Sequence, residues 1–151
     1  MMKLKIPPPV QGLITAALIW LLHHVWPAPA IAFAAQNSLA LLLFIVGLGI
    51  DLVSVFTFFK ARTTVNPLSP QKTSSLVVSG MFSFSRNPMY LGMLLMLSAG
   101  ALWLGSLAGV VPLFLFVFSI NELQIKPEEV VLQKKFGSDY ERYMKTVRRW
   151  V

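Results

Sequence analysis

Seven consecutive residues, Arg86-Asn87-Pro88-Met89-Tyr90-Leu91-Gly92, combine side chains that are rarely placed together without a purpose. A guanidinium, an amide, a fixed backbone bend, a phenol and a bare glycine stand where a polar, basic stretch gives way to an apolar run. At a water–lipid boundary such a set suits holding a charged small molecule against an apolar one. A segment selected only to cross a bilayer has no need of it.

A second cluster lies in the tail. Pro127-Glu128-Glu129 has the form of a helix start, with proline at the first position and acids against the positive end of the helix dipole. Lys134-Lys135 suit the other end, and Gly137 can close the helix. Ser138-Asp139-Tyr140-Glu141 reads as a capping box that opens a second short helix. Glu129, Leu132, Phe136, Tyr140, Tyr143 and Val147 recur every three or four residues and predict one apolar–aromatic face, with Glu128 pointing away from it. A carboxylate on that packed face needs a cation, either Arg86 or the ammonium of a ligand.

Two further polar features lie inside apolar runs. Asp51 sits nine residues before Lys60, roughly 13 Å at 1.5 Å per residue, so it is a functional candidate or a polar clamp beside Gly47 and Gly49. His23-His24 reads as an interfacial polar pair. No His/Asp/Glu grouping has metal-ligand spacing, and the absence of cysteine removes disulfides and thiolate chemistry. Neither a G-x-G-x-x-G after a strand nor a phosphate-binding loop occurs.

The elements that must position these residues follow from composition. Of 151 residues, 56% are hydrophobic and 13% charged, about half the charge of an ordinary soluble domain, so the expectation is one all-α integral membrane domain. Four transmembrane helices are predicted, over about 10–26, 37–59, 88–103 and 107–123, with Asn37 or Ser38 as the cap of the second. The last two form a short hairpin through Leu104-Gly105-Ser106, in which Gly105 and Gly109 serve the turn and close packing. A cytosolic loop over 60–87 and cytosolic C-terminal amphipathic helices over 127–149 complete the plan. Within the loop, Leu76-Val77-Val78 followed by Gly80 reads as an extended piece with a sharp turn.

All 13 Lys and Arg fall before the first span, between the second and third, or after the fourth. The positive-inside rule then places both termini and the middle loop in the cytosol, consistent with a bacterial inner membrane. The net charge of +7 orients the chain and favours anionic lipid; it calls for no nucleic acid.

Leu76-Val77-x-x-Gly80-x-Phe82, Arg86-Asn87-Pro88-x-Tyr90-x-Gly92, Glu128-Glu129-x-x-Leu132 and Phe136-Gly137-x-x-Tyr140-x-x-Tyr143, taken in order, resemble the isoprenylcysteine carboxyl methyltransferase and phospholipid methyltransferase superfamily, most closely its small bacterial members. The resemblance implies a membrane enzyme that uses S-adenosylmethionine without a Rossmann domain. Carried over by motif, the cofactor-binding positions are Leu76, Val77, Phe82, Asn87, Pro88, Met89, Tyr90 and Glu129. The sequence departs from the eukaryotic pattern at Asn87, where histidine is usual, at Phe82, where tyrosine is usual, and at Gln124-Ile125, where an arginine is usual.

The chemistry of such a cofactor suits these residues. Glu129 is placed to take its ammonium, Arg86 or backbone N–H groups its carboxylate, and Phe82 and Tyr90 its adenine or sulfonium. No catalytic residue is assigned: methyl transfer depends on alignment and exclusion of water. The acceptor is expected to be lipophilic or membrane-anchored, with carboxyl, thiol and amine acceptors all open. Two other functions fit the sequence, a four-helix transporter using Asp51 and a non-catalytic membrane assembly factor.

Overall fold

The computed structural model describes residues 6–26, 29–61 and 75–151. Lys3, Lys5, Arg62 and Lys72, which enter the charge pattern above, lie outside these residues, as does the middle of the 60–87 loop. The described residues are helical, with a single isolated β-bridge between Ala30 and Ser106. The helices are α1 (Pro8–Val25), α2 (Gln36–Lys60), α3 (Pro88–Trp103), α4 (Val110–Ile120), α5 (Lys126–Phe136) and α6 (Ser138–Thr146).

Two helical runs, Gln36–Lys60 and Leu107–Phe136, are long and apolar enough to cross a membrane, and Pro88–Trp103 is a shorter apolar helix. The outward face of α2 exposes Leu41, Leu42, Ile45, Leu52 and Phe56, and that of α4 exposes Phe114, Leu115 and Phe118. Apolar side chains around so much of a helix suit lipid as the surrounding solvent.

The fourth run differs from expectation. It does not stop near Leu123 and restart at Pro127. From α4 it passes through one π turn, Asn121–Ile125, directly into α5. Pro127 has no N–H and its ring presses on the carbonyl one turn back, which ordinarily kinks a helix. The wider π turn just before it relieves that pressure, and the Lys126 N–H bonds to the Asn121 carbonyl. Thirty residues span roughly 45 Å, longer than the roughly 30 Å of a hydrocarbon layer.

Two expected caps also differ. α2 begins at Gln36 with neither Asn37 nor Ser38 as its cap; Gln36 reaches across to the Leu102 carbonyl at 2.7 Å. Ser138 is already inside α6, so it forms no capping box. Gly137, with φ of +53°, closes α5 and opens α6 by itself. Its N–H bonds to the Gln133 carbonyl, and its carbonyl accepts from the Glu141 N–H. The hairpin turn is as expected, with the Ser106 hydroxyl accepting from the Gly109 N–H at 3.2 Å.

α2 and α3 meet at Gly92. A Cβ there would lie 2.1 Å from Asp51 Oδ1 and 2.7 Å from the Gly47 carbonyl oxygen. The Asp51 carboxylate thus packs into the space a side chain at residue 92 would need, with its Oδ1 buried and unpartnered. This close contact fixes the start of α3 against α2. The core beside it is Tyr90, Phe116, Ile120 and Ile125, with Met93, Leu94, Leu97 and Trp150 packed around.

Candidate functional site

A cavity of about 270 Å³ opens where the starts of α1 and α3, the end of α2 and the α5–α6 arm converge. Pro8 and Pro9 of α1, Phe58 of α2 and Met93 of α3 give it apolar walls. Ser75, Leu76 and Val77 line it from an irregular stretch, and Phe82 follows from a 3-10 turn that Gly80 begins. Phe58 and Phe82 meet edge to face, with ring centroids 4.9 Å apart.

The structure brings all nine of the expected binding residues to this one cavity: Leu76, Val77, Phe82, Arg86, Asn87, Pro88, Met89, Tyr90 and Glu129. Ten further residues line it, among them Glu128, Leu132, Tyr140 and Tyr143, which stand in the sequence motifs but outside the expected binding set. The placement of Glu128 is a correction. Ile125, Glu128, Glu129 and Leu132 form an i, i+3, i+4, i+7 stripe along α5 and the turn before it, and both acids belong to it. A stripe started at Glu129 omits Glu128; the apolar Ile125, one turn earlier, is the signal in the sequence that extends the stripe to both acids.

The polar groups form two sets. Tyr90 Oη donates to Glu128 Oε1 at 2.8 Å, tying α3 to α5. Glu129 is held between two guanidiniums. Arg149 grips it as a fork, Nε to Oε1 at 3.0 Å and Nη2 to Oε2 at 2.7 Å, while Arg86 Nη1 lies 3.0 Å from Oε1. Arg86 Nε and Nη1 are nonetheless buried without an aligned hydrogen-bond partner. The hydrogen bonds that Arg149 donates to Glu129 raise its pKa further, so its charge is permanent. Burial, and secondarily the Glu129 charge, pushes the Tyr140 phenol up to about 12. Burial raises Tyr143 as well, and its hydroxyl donates to the Phe82 carbonyl at 2.6 Å.

Asn87 takes a part not foreseen. Its side-chain amide donates to the Arg149 carbonyl at 2.9 Å, and the Arg86 N–H donates to the Arg148 carbonyl at 3.0 Å. The last residues of the chain are thereby fastened to the turn that opens α3. Asp51 lies outside the cavity lining, and in the pair His23-His24 the exposed His24 sets its Nδ1 against the Trp20 carbonyl. Among the described residues no group of His, Asp or Glu is arranged to hold a metal.

The two acids on α5 and the Arg86–Gly92 turn that they face lie within the stretch 35–139 matched by the family model described as phospholipid methyltransferase. The chain belongs to the phospholipid methyltransferase family. An uncharacterized protein of Haemophilus influenzae is 46% identical over 63 residues, which is the whole of that protein and 42% of this chain. No solved structure matches. Membership of the phospholipid methyltransferase family implies phospholipid methyltransferase-like activity, and the two long apolar helices agree with its membrane setting. The matched stretch contains both acids and the whole Arg86–Gly92 turn, whereas Arg149 and Trp150 lie beyond it.

Proposed function

We propose that the protein is an S-adenosylmethionine-dependent methyltransferase of the membrane, acting on a lipophilic or membrane-anchored acceptor. The observation that carries this reading is the pairing, in one cavity, of a buried guanidinium with spare donors and two acids on the facing helix. The residues fit the cofactor's charges. Arg86 Nε can take a carboxylate oxygen, the α5 acids an ammonium, and Phe82, Tyr90, Tyr140 and Tyr143 flat or cationic surfaces.

When bound, S-adenosylmethionine supplies a methyl group on a sulfonium, which goes to a lone pair of the acceptor as the sulfur recovers its own bonding pair. The protein's contribution is positional. Pro88 sets the direction of α3 and therefore of Tyr90. Tyr90 in turn fixes Glu128, so that two acidic side chains face the cavity in defined places. The apolar walls exclude water, which strengthens polar contacts to a ligand and keeps the acceptor as the nearest nucleophile.

Pro8, Pro9, Phe58 and Met93 form the apolar part of the lining, next to helices that expose apolar side chains outward. This supports entry of the acceptor from the bilayer. Carboxyl, thiol and amine acceptors fit such a wall, and family membership favours a phospholipid. Four membrane-spanning helices with both termini in the cytosol, as in a bacterial inner membrane, remain the topology that the charge pattern supports. The test is to incubate the full chain in nanodiscs with methyl-labelled cofactor and a total membrane lipid extract. Label recovered in a lipid product supports the reading. Cofactor binding with no labelled product would leave a non-catalytic assembly factor as the better description.

A further inference from the structure

Glu129 has two arginines beside it, but it bonds to them unequally. Arg149 occupies both carboxylate oxygens with aligned hydrogen bonds. Arg86 stands as near, at 3.0 Å, yet its Nε and Nη1 find no aligned acceptor although its side chain is only 11% exposed. Left alone with Glu129, a buried guanidinium would turn its fork onto the carboxylate, because an unmade hydrogen bond to a buried charge is costly. Arg149 prevents this by filling that face of Glu129 first.

Arg149 is itself held in place independently of its charge. Its carbonyl accepts from Asn87 Nδ2 at 2.9 Å, the neighbouring Arg148 carbonyl accepts from the Arg86 N–H, and Trp150 Nε1 donates to Asn121 Oδ1 at 3.3 Å. Trp150 also packs against the core around Tyr90 and Ile125. The backbone and the indole therefore anchor these C-terminal residues in addition to the fork that the Arg149 guanidinium makes on Glu129. Arg149 does not line the cavity.

We infer that Arg149 is a positioning residue that occupies Glu129 and so keeps the Arg86 guanidinium available for the carboxylate of a ligand in the cavity. This rests on the cofactor reading above and adds to it a residue beyond the stretch matched to the family. It also gives the C-terminal strap a part in ligand discrimination in addition to packing.

The test compares two ligands that differ only in the group concerned: S-adenosylhomocysteine and its decarboxylated analogue, titrated calorimetrically into the full chain in nanodiscs. The wild type should prefer the carboxylate-bearing ligand by about tenfold or more, the scale of a buried charge-assisted pair. In Arg149→Gln the preference should fall to about threefold or less as Arg86 turns onto Glu129. Arg149→Lys should lie between, because one ammonium cannot span both oxygens. In a Glu129→Gln background, removing Arg149 should change the preference no further. Ratios are read only from variants that still melt cooperatively, so a loss of folding is recognised by its melt and not by the ratio.

An unchanged ratio in Arg149→Gln, or in Arg149→Lys should the first variant fail to fold, overturns the inference while leaving the cofactor reading intact. Equal affinity of the wild type for the two ligands removes the carboxylate seat and the inference with it. Failure of the wild type to bind either ligand removes the cofactor reading itself.

Discussion

Tyr90 Oη and Glu128 Oε1 are joined by a 2.8 Å hydrogen bond that bridges the start of α3 and the first turn of α5 across the wall of the cavity. Tyr90 is 7% exposed, so the phenol is committed to this partner. The bond orients Glu128 into the cavity and ties the Arg86–Gly92 turn to the acidic pair.

Tyr90→Phe removes that bond and leaves the Glu128 carboxyl with one partner fewer in a largely buried place. A buried polar group left without its partner costs about 1–3 kcal/mol. The expected outcome is a lower unfolding midpoint together with weaker binding of S-adenosylhomocysteine, by roughly tenfold or more. Thermal unfolding and calorimetry on the same preparation check both, and an unchanged midpoint with unchanged affinity would contradict the role given to the pair.

The α2–α3 contact yields a prediction about packing. Gly92→Ala places a methyl where Asp51 Oδ1 and the Gly47 carbonyl oxygen already stand. Overpacking of this kind costs typically about 1–3 kcal/mol. Asp51→Ala in the same chain should recover part of the loss, since one of the two obstructions is then gone, while the Gly47 backbone remains. Thermal melts of the two single variants and the double variant give the coupling. Strict additivity would show that Asp51 does not occupy that space.

The same contact bears on Asp51 as a transport residue. Asp51 lies outside the cavity lining and packs against Gly92. Asp51→Asn should therefore leave ligand affinity within about threefold of the wild type, as expected for a residue with no partner shared with the site. A loss of tenfold or more would show that the α2–α3 contact reaches the ligand.

Tyr140 supplies a pH dependence with a definite sign. Its phenol has an ordinary value of 10.0 and is pushed up to about 12 in the folded chain, chiefly by burial. The folded state thus holds this proton more tightly than the unfolded state. The associated stability is complete below pH 10 and is lost as pH rises towards 12. Melting midpoints measured between pH 9 and pH 11.5 should fall less steeply in Tyr140→Phe than in the wild type. Parallel slopes would mean that the phenol is not desolvated.

Much of the site was legible in the sequence because its residues carry their own geometry. Pro88 announces a helix start, Tyr90 and Gly92 fall on the helix it begins, and Gly80 and Gly137 mark turns that do take positive φ. Nine residues assigned by motif and chemistry converge on one cavity. What escaped depends on contacts between distant parts of the chain. Glu128 was set aside because a stripe counted from Glu129 omits the turn before it. The passage of α4 into α5 was hidden by Pro127, which normally signals a start, and only the π turn makes it compatible with continuity. The fastening of Arg149 to Glu129 and Asn87 joins residues 20 and 62 positions apart, and no local pattern encodes such a pairing.

Calorimetric titration of S-adenosylhomocysteine into the full chain in nanodiscs tests the central claim most directly. The account predicts saturable binding at a single site, weakened at least about tenfold by Glu129→Ala and by Tyr90→Ala, each of which removes a charged or charge-assisted contact in the cavity. Absence of binding by the wild type under conditions where it melts cooperatively would contradict it.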